Sequence, residues 1–130
     1  MAELKWDEQD FLECLATLPE VDEDGIWYTY RVRNEGLALV ITLWTYQSIV
    51  QFSLVRETSE RPVTELSFVV RGPVWRKQEK YGDFLIFPDC VLASVQFYGS
   101  NLDDVFDRVT YPSGITVQVS AYPDIHFAAG

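Results

Sequence analysis

The sequence predicts a mainly β (α+β) fold: an antiparallel β-sheet or β-sandwich of about seven to eight strands, with one N-terminal amphipathic helix packed on it. Three observations predict it. Residues 37–57, LALVITLWTYQSIVQFSLVRE, are rich in residues that suit a pleated, half-buried surface and are too numerous for one strand. Further alternating stretches follow at short spacing, separated by Gly, Pro, Asn and Asp. Helical spacing of apolar residues occurs once, ahead of Pro19.

That helix is expected over Trp6–Leu18. Asp7 is the expected N-cap, and Trp6 before it can pack on Phe11 as a hydrophobic staple. Phe11, Cys14, Leu15 and Leu18 form the buried stripe with Leu12 at its edge, and Gln9, Asp10, Glu13 and Thr17 point away. Pro19 ends the helix, and Glu20–Gly25 is a solvated turn.

Ile26–Val32 alternates, and Asn34-Glu35-Gly36 is a turn signal. A loop at Asn34-Glu35 sets Val32 against Leu37, Tyr30 against Leu39, Tyr28 against Ile41 and Ile26 against Leu43. A loop at Glu35-Gly36 keeps the same face and changes only the partners. Folding residues 37–57 at Tyr46-Gln47 sets Leu43 against Val50, Ile41 against Phe52 and Leu39 against Leu54, all apolar and on one side. A slip by one residue destroys the pattern. Tyr-Gln has none of the chemistry of tight hairpins, so a longer loop is an alternative.

Strands are then expected at Pro62–Arg71 (Leu66, Phe68 and Val70 on one face), Val74–Gln78 and Phe84–Phe87. Pro88-Asp89 interrupts before Cys90–Tyr98, where Val91, Ala93, Val95 and Phe97 share a face. Leu102–Phe106 is a possible helical turn. Ile115–Ala121 is a last strand with Ile115, Val117 and Val119 inward, and residues 122–130 carry no clear signal.

The 130 residues form one expected domain, 1–130, with 48% hydrophobic residues and roughly two-thirds of its unfolded surface to bury. Polar residues interrupt the longest apolar run, so no membrane helix is expected, and the acidic N-terminus is unlike a secretion signal. A cytoplasmic location is the default expectation. Cys14 and Cys90 are expected to be buried free thiols rather than a disulfide.

Charge placement is the main functional clue. Residues 1–24 hold nine acids (Glu3, Asp7, Glu8, Asp10, Glu13, Glu20, Asp22, Glu23, Asp24) against Lys5 alone, most of the formal −10 of the chain. Such a field repels nucleic acid and anionic membranes and favours a basic partner. In composition the chain resembles small acidic bacterial immunity or inhibitor proteins, which block cationic toxins or nucleases; the likeness carries over no residues. The charge placement itself points to a non-catalytic interaction module, with Asp10, Glu13, Asp22, Glu23 and Asp24 as the candidate contacts with a basic protein. Set against this, an acidic surface also aids solubility and suits a helix N-terminus.

Trp27 and Trp44 lie diagonally near each other on the mixed face of the expected sheet. The second half of the chain covers that face in a sandwich, the arrangement favoured because large exposed apolar patches are uncommon. Alternatively the face is exposed and binds a partner, including a second copy in a homodimer. Another reading is a small-ligand β domain with an aromatic pocket, for which Tyr81, Phe97, Tyr98, Tyr111 and Tyr122 are candidates. A third is a carboxylate-based enzyme.

No catalytic residue, cofactor or metal ligand is assigned from sequence. His126 is the single histidine, and no Cys-x-x-Cys, nucleophile elbow or glycine-rich phosphate loop occurs. Asp22–Gly25 lacks the alternating ligand spacing of a calcium loop, and both it and the group Asn101, Asp103, Asp104 and Asp107 read as solvated turns and caps.

Overall fold

Period-two alternation fixes the centre of the fold. In the computed structural model, which describes residues 3–58, 62–93 and 114–130, strands β2 (Trp27–Asn34), β3 (Leu37–Trp44) and β4 (Ile49–Arg56) form an antiparallel meander. Leu43 faces Val50, Ile41 faces Phe52 and Leu39 faces Leu54, as the apolar pattern demands. Between β2 and β3 the Glu35-Gly36 loop is the one adopted, giving Tyr28–Leu43, Tyr30–Ile41 and Val32–Leu39. Both loop residues have positive φ (51° and 81°), the geometry whose twist matches the flanking strands. Ile26 therefore falls outside β2 and is exposed, and it does not meet Leu43.

The other turn is longer than two residues. Thr45–Ser48 connects Trp44 to Ile49 without changing the register. Ser48, at φ 52°, is buried; its hydroxyl donates to the Val70 carbonyl, and its carbonyl accepts from the Val70 N–H at 2.8 Å.

The sheet continues through β5 (Pro62–Val70), β7 (Gly82–Ala93), β8 (Ile115–Ser120) and β9 (His126–Ala129). β6 (Trp75–Glu79) pairs beside β5 along β7, and β1 (Glu20–Val21) edges β2. All nine described strands belong to one antiparallel sheet, so the described strands of the second half extend the sheet rather than stacking a second one on it. The sheet curls, however. Phe52 on β4 meets Phe127 on β9 with ring centroids 5.1 Å apart, and the Asn34 side chain donates to the carbonyls of Ala121 and Pro123.

The bend has a local cause. Pro88 cannot donate to a ladder, and Asp89 has φ 53°. The β7–β8 register shifts between Phe87 and Cys90. The expected break at Pro88-Asp89 is thus a bulge inside one long strand. Opposite it, Arg71–Val74 separates β5 from β6. Gly72 is needed there because a Cβ would lie 2.7 Å from Pro88 Cγ. Arg71 donates to the Asp89 carboxylate, whose Oδ1 also accepts from Gly114 N at 2.8 Å.

Helix α1 (Glu8–Leu15) closes the concave side. The Asp7 side chain accepts from Gln9 N, as an N-cap should. Trp6 packs edge-on against Phe11 at 5.1 Å. Phe11 then meets Tyr30 and Phe87, joining both halves of the sheet. The helix ends sooner than Pro19 implied, because Ala16 turns left-handed at φ 53° and bonds back to the Leu12 carbonyl. Leu18 accordingly leaves the stripe and is 76% exposed. Ile115 is also exposed, whereas Val117 and Val119 are fully buried. Ser94–Tyr98 and Leu102–Phe106 lie outside the described residues, as does the Asn101/Asp103/Asp104/Asp107 group.

Candidate functional site

The acidic segment comprises α1 and the β1–β2 turn. Asp10 and Glu13 sit on α1, and Asp22, Glu23 and Asp24 sit in the turn between β1 and β2. Their environments differ. Glu23 and Asp24 are exposed and Asp10 is partly buried. Asp22 serves the fold: its carboxylate accepts from Trp27 N at 2.9 Å and starts β2. Glu13 is an ion-pair partner of Arg76 on β6, which also holds Asp83 at 2.6 Å. Arg76 thereby fastens the helix to the β6–β7 hairpin, a role invisible in sequence because 63 positions separate Arg76 from Glu13. Glu13 and Asp22 are therefore committed within the fold.

The opposite face of the sheet carries bases. Arg31, Arg33 and Arg56 line a cleft of about 400 Å³ with Ala38, Val40, Val55 and one acid, Glu57. Glu20 stands 3.7 Å from Arg31 at its edge. Acidic helix and basic cleft thus lie on opposite faces, because odd positions of β2 face away from α1.

Trp27 and Trp44 are directly opposite each other, not diagonal, and both are half-buried. The difference follows from the one-residue move of the β2–β3 loop. On the same face Ile49, Val69 and Ile86 are buried outside the main cluster. No second described sheet covers the tryptophans.

An apolar groove of about 230 Å³ opens on the inner face where β9 approaches β4, with Leu39, Phe52, Leu54, Leu66, Ile125 and Phe127 in its wall. It is small for a drug-sized ligand and has few polar groups to orient one. Tyr81 and Tyr122, expected at an aromatic pocket, are exposed and do not line it; Phe97, Tyr98 and Tyr111 lie outside the described residues.

Cys14 and Cys90 are buried free thiols. Burial, then Asp83 and Asp10, push the Cys14 thiol up from 9.0 to about 12. Burial also carries Cys90 from 9.0 to about 12, against a backbone hydrogen bond at Val117 that lowers it. Both stay protonated at neutral pH and are poor nucleophiles. Alkylation by iodoacetamide at pH 8 is expected to run roughly a thousandfold slower in the folded chain than in urea. The folded chain also binds these protons more tightly than the unfolded one. Their stabilising contribution is complete below pH 9 and is lost as pH rises through the 9–12 range, so denaturant midpoints should fall there. His126 is exposed on β9 with its ring 5.9 Å from that of Phe84. Among the described residues no three His, Cys, Asp or Glu side chains gather as a metal site, and no helix is long and apolar enough to cross a membrane.

No family model and no curated protein matches the chain. Among solved structures it is similar to a chain of the "Contact-dependent growth inhibition toxin - immunity protein complex from Klebsiella pneumoniae 342". The TM-score is 0.70 at 13% sequence identity, over 100% of this chain and 98% of that one. At that identity the likeness is one of fold, and it spans both chains nearly end to end.

Proposed function

We propose that this chain is an immunity-type interaction module that binds a basic protein partner through its acidic N-terminal face. The observation that carries this reading is the segregation of charge: nine acids and one base in residues 1–24, six of the acids on α1 and the β1–β2 turn. The fold likeness to a chain of a toxin–immunity complex supports it. The segment's field attracts a cationic surface over about a Debye length and repels nucleic acid. Function on this reading is occlusion, in which binding alone disables the partner.

The test uses Asp10→Asn, Glu23→Lys and Asp24→Lys together, sparing Glu13 and Asp22, which the fold employs. Affinity for the proposed basic protein partner, measured by calorimetry, is expected to fall roughly a hundredfold, mainly through the association rate. The melting temperature should stay within a few degrees, since the exposed Glu23 and Asp24 charges contribute little to stability and Asp10→Asn keeps the side chain's shape. Unchanged affinity contradicts the reading.

A further inference from the structure

Tyr30 is 1% exposed, and its hydroxyl has no hydrogen-bond partner among the described residues. Folded chains seldom leave a buried polar group unpaired, and an exception calls for a physical reason. Tyr30 lines a small cavity of about 120 Å³ between α1 and the connector that follows it. Leu12, Leu18 and Pro19 give that cavity apolar walls, while Glu8, Gln9 and Thr17 supply polar groups. Leu12 and Leu18 are 38% and 76% exposed, so apolar surface stands at the rim. Burial first, then the Glu8 charge and Tyr28, keep the hydroxyl protonated.

We infer that this cavity receives one lysine side chain of the protein partner, its methylenes against Leu12, Leu18 and Pro19 and its ammonium shared by the Tyr30 hydroxyl oxygen and the Glu8 carboxylate. The volume suits one side chain and is too small for a drug-sized ligand. A lysine has the matching chemistry: an apolar stem, and a head that needs acceptors and brings three donors. The Tyr30 oxygen gains a partner that no described residue supplies. This inference deepens the proposed function and rests on it for the partner's existence.

n-Butylammonium is the probe, with n-butanol as its neutral counterpart, each titrated into the full chain while the Leu12 and Leu18 methyl signals are followed by NMR. The ammonium should shift them saturably, and butanol roughly tenfold less. Tyr30→Phe and Glu8→Gln should each cut the ammonium response by roughly fivefold. Tyr30→Phe should also raise the melting temperature by about 3 °C, because it removes an unpaired hydroxyl from the free fold. Equal response to butanol, an unaltered response in both variants, or a lower melting temperature for Tyr30→Phe overturns the inference. If the partner is lost by the Asp10/Glu23/Asp24 variant but retained at full affinity by Tyr30→Phe and Glu8→Gln, the acidic-face reading stands and the lysine receptor falls. If the ammonium responses are as expected while the Asp10/Glu23/Asp24 variant keeps its partner, the receptor stands and the acidic-face reading falls.

Discussion

Replacing Phe52 with alanine is expected to destabilise the fold by about 4 kcal/mol. Phe52 is 3% exposed, and its ring meets Phe68, Phe87 and Phe127 at centroid distances of 6.0, 5.1 and 5.1 Å. These rings belong to β5, β7 and β9, so one side chain ties the meander to both the middle and the far edge of the curled sheet. Truncation deletes the ring and extends the neighbouring groove, and surrounding strands that are already paired have little freedom to collapse into the space. A domain of this size is stable by about 5–15 kcal/mol, so the loss is a large fraction of the total. Thermal melts should show a drop of roughly 12 °C. Phe52→Leu should cost less than half as much, because most of the volume remains. A drop of only a few degrees for alanine would mean that β9 is not held over β4.

The second large effect is expected at the bend. A Cβ on Gly114 would lie 2.6 Å from the Asp89 carbonyl carbon and 2.7 Å from the Cys90 carbonyl oxygen. Those are backbone atoms and cannot rotate away as a side-chain tip can. Gly114→Ala should therefore cost about 3 kcal/mol, by separating β7 from the start of β8 and loosening the Asp89–Gly114 hydrogen bond. Gly25→Ala is the proper comparison. Gly25 has φ +68° but nothing within 4 Å of its missing Cβ, so only backbone strain of about 1 kcal/mol applies. Denaturant midpoints of the two variants separate crowding from strain. Equal losses would place the close approach at Asp89 in error.

What sequence reveals here depends on how local the deciding force is. The β3–β4 register and the apolar face shared by β2–β4 were legible because three strands place apolar residues at alternate positions, and a slip of one reverses every side chain; the β2–β3 partners were not, because moving that loop by one residue keeps the same face. Ile41 is fully buried and faces Phe52, as that pattern requires. The helix was legible in its start, since Asp7 and Trp6 act within a few residues of themselves. Its end was not, because the left-handed turn falls on Ala16 and no glycine announces it. β1 and β9 are short edge strands whose existence depends on a neighbour rather than on their own alternation; Thr116 and Gly130 exchange backbone hydrogen bonds across β8 and β9. The bulge at Pro88 resembles a strand break because proline interrupts the ladder in both cases.

The candidate site divides in the same way. Its acidity is a matter of composition and could be counted directly. Which acids are committed within the fold could not, since Glu13 reaches Arg76 from a distant hairpin and Asp22 starts a strand. Tyr30 reads in sequence as one more apolar-face residue of β2. Its hydroxyl is buried and has no hydrogen-bond partner among the described residues, which only the packing around α1 and its connector reveals.

The most direct measurement is a hydrogen–deuterium exchange footprint of this chain, free and in complex with a basic protein that it binds. Slowed exchange concentrated in residues 8–13 and 22–25, with β8 and β9 unchanged, is the result expected of an acidic docking face. Protection confined to the Arg31/Arg33/Arg56 cleft or to β9, or no protection at any residue, would contradict it.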